Sequence, residues 1–204
     1  FAALLAADDI WLPCRLSESL KSFENRPQLG LTYGFVSRID PDGVVIDTFD
    51  RRQKHGEGRI APYIYMRRID LPCPTITFRR KCIDEVGLFD ENMRATEDRD
   101  LWLRIALRYE VALVAEIIAL YRISPGSMSA DLGRMLKAQR HFIEKHYGAP
   151  GCGFLARRIA LARVYKQHAE ALGLRRQPWA GLRSALRSLA LYPFDIDNLR
   201  AARS

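Results

Sequence analysis

The chain has no C-x-x-C pair, no glycine-rich phosphate loop and no apolar run longer than the seven residues Phe1 to Ala7. Each absence excludes something. The four cysteines, Cys14, Cys73, Cys82 and Cys152, stand 59, 9 and 70 residues apart, which fits neither a zinc site nor a thiol-exchange motif and suits reduced thiols in a cytosolic compartment. Seven apolar residues fall far short of the roughly 20 that cross a bilayer, and no basic segment precedes them as in a signal peptide. Without a glycine-rich loop there is no motif for ATP or a dinucleotide. His55, His141, His146 and His168 share no ligand spacing with cysteines or carboxylates and read as ordinary side chains.

What is present is a core-forming composition, 48% apolar and 27% charged over 204 residues, enough for one domain with a proper core or one domain plus a small appendage. The net charge of +8 is unevenly placed. From Arg134 to Ser204 there are 14 Lys and Arg against 4 Asp and Glu, whereas the first 133 residues are slightly acidic. A basic tail of this kind suits nucleic acid, an anionic membrane surface or a solvated helical face. Its pairs Arg157-Arg158 and Arg175-Arg176 lack interleaved aromatics, so nucleic acid is the weakest of the three.

Phe1 to Ala7 reads as a strand buried on both faces, an unusual start for a natural chain, and the expectation is a fragment. Asp8-Asp9 follows, ahead of a helix with Leu16, Leu20 and Phe23 on one face. Leu29 to Asp40 and Val44 to Thr48 form a strand pair around the turn Pro41-Asp42-Gly43. Asp50 to Arg59, with six charged residues and two glycines, reads as an exposed mobile loop. A short helix near Ala61 to Arg68, a half-buried strand Thr75 to Arg79 and a helical turn Lys81 to Val86 closed by Gly87 come next. Glu97 starts a helix running to about Arg108, with Asp100, Arg104 and Arg108 as a polar stripe. Two short strands, Val111 to Val114 and Ile117 to Tyr121, lead to a loop at Ser124 to Ser127.

Beyond Asp131 only helical signals remain: Leu132 to Tyr147, Phe154 to Leu172 ended by Gly173, and Pro178 to Leu191. The last two should pair as a hairpin, with Leu155, Ile159, Ala162, Tyr165, Leu182, Leu186 and Leu189 used in packing and the basic side chains facing outward.

Two acidic clusters carry the candidate chemistry. Adjacent carboxylates at a strand's carboxyl end, Asp8 and Asp9, suit a hard divalent cation on phosphate oxygens, while helix capping is the plain alternative. Glu97, Asp98 and Asp100 are explained equally well by the helix dipole, which stabilises acidic first-turn residues by roughly 0.3–1 kcal/mol each. A second carboxylate cluster in the same mixed sheet adds a role: one cluster can hold a metal while the other takes a proton from an attacking hydroxyl.

An ordered series of motifs then resembles a known family. Ala-Asp8-Asp9-Ile-Trp-Leu-Pro-x-Arg15-Leu is followed by Gly-Leu-x-Tyr33, Asp-x-Asp-Gly43 and Thr75-x-x-Phe-Arg-Arg. Val-Gly87-Leu-Phe-Asp90-Glu, Glu97-Asp98-x-Asp-Leu-Trp-Leu-Arg104 and Leu-Tyr121-Arg-x-x-Pro-Gly-Ser-Met-Ser129 complete the series. Together they resemble the second half of a family 2 glycosyltransferase of GT-A fold, over about Phe1 to Arg140, with the nucleotide-binding first half missing.

The fold implied is α/β: a partial GT-A mixed sheet with flanking helices over 1–130, then an all-α C-terminal extension over 131–204. The resemblance implies a hexosyltransferase moving a sugar, with inversion, from a nucleotide-sugar donor to a glycan or lipid-linked acceptor in bacterial cell-envelope polysaccharide synthesis. The fragment alone is expected to be inactive. By position Asp8 matches the second D-x-D aspartate, which with Asp9 would serve the donor diphosphate through Mg²⁺ or Mn²⁺. Asp98, beside Glu97, matches the catalytic base. Ala6 stands where the first D-x-D aspartate would be, and Ser124 where members often carry a metal-binding His; both thin the metal's ligand set. The implied location is cytoplasmic, peripheral at the inner face of the plasma membrane. The alternative is a non-catalytic relative that binds a protein partner or a membrane surface.

Overall fold

A computed structural model describes residues 1–48, 56–93, 95–124 and 131–194. Most of the charged segment read as a mobile loop, and the loop residues after Ser124, lie outside the described residues. The chain divides into two compact units: Phe1–Ile64 with Arg68–Ala130, and Tyr65–Arg67 with Asp131–Ser204.

The first unit is a mixed β-sheet with helices. In chain order its elements are β1 (Ala2–Ala3), β2 (Ile10–Trp11), α1 (Arg15–Lys21), β3 (Leu29–Ile39), β4 (Val45–Thr48) and α2 (Ala61–Tyr65). A 3₁₀ turn at Cys73–Thr75, β5 (Thr77–Phe78), α3 (Lys81–Val86), α4 (Glu97–Ala106) and β6 (Glu110–Arg122) follow. The sheet order is β1-β5-β3-β6-β2, with β4 also on β3. Among the described strands only β3 and β6 run parallel; the other pairings are antiparallel.

β3 is the spine because nearly all of its residues are buried, an apolar run that suits a strand covered on both faces. Leu29, Leu31, Tyr33 and Ile39 of β3 join Ile76, Val111 and Ile118 as core, capped by Leu101, Trp102, Leu103 and Ile105 of α4. Gly30 is required at its position, since a Cβ there would collide with the Tyr109 side chain.

Several elements depart from the sequence reading. β1 covers only Ala2–Ala3, and Phe1 and Leu5 are exposed, so Phe1 to Ala7 is not a strand buried on both faces. Of the expected face of α1, Phe23 is buried but Leu16 and Leu20 are exposed while Arg15 and Ser19 are buried, because the Arg15 guanidinium finds its acceptors inward. The segment Thr75 to Phe78 is buried throughout rather than alternating. The two expected strands after Val111 are one, β6, whose register against β3 shifts near Gly34 and Phe35. The polar stripe of α4 is partly internal: Asp100 is fully buried and pairs with Arg104 Nε at 2.8 Å. Arg104 also donates to the Val86, Gly87 and Leu88 carbonyls, so the pair holds the turn after α3.

The second unit is all-α: α5 (Leu132–Lys145), α6 (Phe154–Leu174) and α7 (Pro178–Leu191). Asp131 caps α5 by accepting from the Arg134 N–H at 2.9 Å. Phe142 and Ile143 of α5 and Ile159, Ala162, Val164 and Tyr165 of α6 form its core. The Tyr65 hydroxyl joins them, donating to the Ile143 carbonyl at 2.9 Å. His146 lies against the Phe142 ring, and His168 hydrogen-bonds Ser184 Oγ, so both serve packing.

The hairpin of α6 and α7 forms, but Leu155, Leu182, Leu186 and Leu189 are exposed, contrary to the expected packing. The reason lies in the small residues of α7. Gly181, Ser184 and Ser188 face α6, where a Cβ on Gly181 would stand 3.4 Å from the Ala169 carbonyl and Ser188 Oγ donates to the Ala162 carbonyl at 2.8 Å. That close approach leaves the leucines on the far side.

Candidate active site

The Asp8-Asp9 turn sits between β1 and β2, and β2 lies on β6 with Ile10 opposite Leu120 and Trp11 opposite Ala119. This pairing carries the two carboxylates to the C-terminal end of β6. There they diverge. Asp9 is buried and accepts from the Arg122 backbone N–H at 3.0 Å, whereas Asp8 is exposed and its carboxylate receives no hydrogen bond from a described residue. Burial pushes the Asp9 carboxyl above its ordinary range, the Arg122 N–H opposes the shift and the charge of Asp8 adds to it.

Arg122 ties this corner together. Its Nε donates to the Asp8 carbonyl at 2.9 Å and its terminal nitrogen to the Asp40 and Pro41 carbonyls at 2.8 Å each. One side chain therefore joins the acidic turn, the end of β3 and the end of β6.

The second cluster opens α4. Thr96 precedes the helix with φ of 68°, a left-handed conformation that costs a β-branched residue roughly 1–3 kcal/mol. Its hydroxyl is enclosed, as is Oε2 of Glu97, and neither has a hydrogen-bond partner among the described residues. Asp98 is half-buried, one oxygen accepting from the Arg99 N–H, while Arg99 turns away to pair with Asp70. Asp100 is fully buried and paired with Arg104.

Two side chains show that the clusters share one region. Burial first, and then the negative charges of Asp98, Asp9 and Glu97, together push the Cys73 thiol up to about 12. Burial also raises the Tyr121 hydroxyl, followed by the charges of Asp9, Asp8 and Asp98 and by Cys73. Asp9 and Asp98, 89 positions apart, thus act on the same thiol and the same phenol.

The segment that follows Cys73 is held by Arg15, a residue of the first motif to which the sequence assigns no role. Arg15 is fully buried on α1, and donates to the Pro74 carbonyl at 3.2 Å, the Ile76 carbonyl, Thr77 Oγ1 and Ser19 Oγ. Its guanidinium also stacks over the Trp11 ring, 4.4 Å from the centroid. Burial lowers it to about 10, so it stays charged at neutral pH, held by carbonyl dipoles and an aromatic face. Arg122 stands in the Leu-Tyr121-Arg motif, but no local pattern assigns it the hydrogen bonds that fasten the acidic turn.

Among the described residues no three His, Cys, Asp or Glu side chains gather into a metal-binding group. The donors present are carboxylate oxygens, which suit a hard cation, and Mg²⁺ is commonly held by one or two carboxylates with phosphate and water completing its shell. Asp8 has the exposure for that role. Asp9 is committed to Arg122, Ala6 contributes no donor, and Ser124 is half-buried with no described partner in the site.

No family model matches the chain. A protein named as an uncharacterized glycosyltransferase of Methanocaldococcus jannaschii is 30% identical over 124 residues, 60% of this chain and 42% of the relative. The chain thus spans about two fifths of the relative's length. It resembles a glycosyltransferase in sequence, and its first unit is a mixed sheet with flanking helices followed by an all-α unit.

Proposed function

We propose that the chain is the acceptor-side part of an inverting, nucleotide-sugar-dependent glycosyltransferase of GT-A fold. The observation that carries this reading is the fastening of the Asp8-Asp9 turn to the C-terminal end of β6, by β2 pairing and by the Arg122 N–H on Asp9, with the charges of Asp9 and Asp98 both felt at Cys73 and Tyr121. Sequence likeness to a protein named as a glycosyltransferase supports the reaction class.

In this reading Asp98 accepts the proton of the acceptor hydroxyl as that oxygen attacks the anomeric carbon and the bond to the donor diphosphate breaks. Glu97 and the Thr96 backbone set its position at the start of α4. Asp8, with Asp9 behind it, would hold Mg²⁺ or Mn²⁺ beside the donor phosphates, and such a cation offsets charge on the leaving diphosphate. Asp9, fixed by Arg122, keeps the turn that presents Asp8. The acceptor is a glycan or lipid-linked saccharide, and the setting is polysaccharide assembly at the cytoplasmic face of a bacterial envelope. The remainder of a GT-A domain would supply the nucleotide pocket.

Ala6, standing where the first D-x-D aspartate would be, favours a second reading, a related domain that binds without catalysing. Transfer assays on the full-length protein separate the two. Asp98→Asn should lower turnover by about 10²–10⁴-fold with donor affinity nearly unchanged, and Asp8→Ala should weaken metal-dependent donor binding. Near-normal turnover in Asp98→Asn removes Asp98 as the base. A protein that no divalent cation stimulates and that transfers no sugar supports the binding reading.

A further inference from the structure

Helix α7 is amphipathic in the unexpected sense. Its small residues Gly181, Ser184 and Ser188 are buried against α6, while Trp179, Leu182, Leu186 and Leu189 stand 77%, 50%, 57% and 46% exposed. At 100° per residue these four fall within one stripe about 80° wide. Single exposed leucines are ordinary on a protein surface, but a continuous stripe headed by a tryptophan calls for a covering surface.

The charge beside the stripe says which. Arg183 and Arg187 flank it along one side, Arg175 and Arg176 stand at the helix entrance, and the sequence has no Asp or Glu between Glu170 and Asp195. Arg187 lies over the Tyr165 ring of α6, 5.7 Å from its centroid, and Arg183 is the nearer of the two to the stripe. A second copy docked by the same stripe would bring these arginines against their counterparts. An acidic surface with an apolar layer beneath it satisfies both features at once: leucines enter the acyl boundary, tryptophan sits at the interface and arginines meet the headgroups. No described helix is long and apolar enough to cross a membrane, so α7 would lie on the surface.

We propose that the Trp179, Leu182, Leu186 and Leu189 face of α7, with Arg183 and Arg187 beside it, is a docking surface for anionic lipid. This does not depend on the sugar-transfer reading, since it rests on the helical unit alone.

The test is co-sedimentation of the chain with vesicles of phosphatidylcholine, alone or mixed with phosphatidylglycerol, at low and high salt. The expected result is binding to the anionic vesicles that weakens with salt. The variant L182S/L186S/L189S, altered only at exposed positions, should bind those vesicles about tenfold more weakly or less while keeping its circular dichroism and melting midpoint. Arg183→Glu, a second variant independent of the leucines, should lose anionic binding specifically. Equal sedimentation of the parent chain and both variants overturns the proposal. So does a parent that ignores vesicles and forms a dimer broken by the triple substitution, which would assign the stripe to self-association.

Discussion

The Asp9 carboxylate accepts a hydrogen bond from the backbone N–H of Arg122 at 3.0 Å, while Arg122 Nε donates back to the carbonyl of Asp8. The reciprocal contact fastens the acidic turn to the end of β6. It also divides the labour of two adjacent carboxylates, one spent on architecture and the other left to solvent.

Asp9→Ala should destabilise the fold by about 1–3 kcal/mol, because the half-buried Arg122 N–H loses its acceptor. Asp9→Asn keeps an acceptor oxygen and removes a buried charge, so its urea midpoint at neutral pH should equal or exceed the parent's. The pH dependence gives the sign. The folded pKa lies above the ordinary 3.8, so between those values the native state binds more protons than the unfolded chain. This group's contribution to stability therefore declines as pH rises across that window, a slope that Asp9→Asn lacks.

Cys73 reports on Asp98 without any assay of transfer. A thiol raised to about 12 should alkylate slowly at mildly alkaline pH, whereas exposed Cys14 reacts readily. Asp98→Asn removes a charge that holds the thiol up, so Cys73 should react severalfold faster, as peptide mass spectrometry of iodoacetamide-treated protein would show. An unchanged rate would mean that the α4 entrance and the 3₁₀ turn are not neighbours.

Arg15→Ala should cost about 2–4 kcal/mol in urea denaturation, since the Pro74 and Ile76 carbonyls lose their donor and the Trp11 ring its cation. Arg15→Lys should recover only part, because a point charge cannot satisfy so many acceptors.

Thr96→Gly should stabilise the fold by about 1 kcal/mol by relieving a left-handed β-branched residue whose hydroxyl has no partner among the described residues. Transfer by the full-length protein should fall, since the conformation that presents Asp98 becomes one among several. A variant both less stable and fully active would remove the strain argument.

Local chemistry was enough to read much of this protein from its residues. The turn at Pro41 to Gly43, the cap of α3 at Gly87, the start of α4 at Glu97 and the three basic helices follow from short-range rules, since each depends on neighbours within a few positions. What tertiary structure decided was direction. Leu16 and Leu20 satisfy a helical periodicity, yet α1 turns Arg15 inward because the acceptors that reward it lie some 60 positions away at Pro74 and Ile76. Leu182, Leu186 and Leu189 form as good a stripe, but the closest approach of α7 to α6 is through Gly181, Ser184 and Ser188. Periodicity states that a helix has two unlike faces; which face is buried depends on the shape and polarity of a surface made elsewhere in the chain. The same holds for the site, where Asp9 and Asp98 act on one thiol because β2 pairs with β6 and Arg15 holds the 3₁₀ turn, contacts that no local pattern encodes.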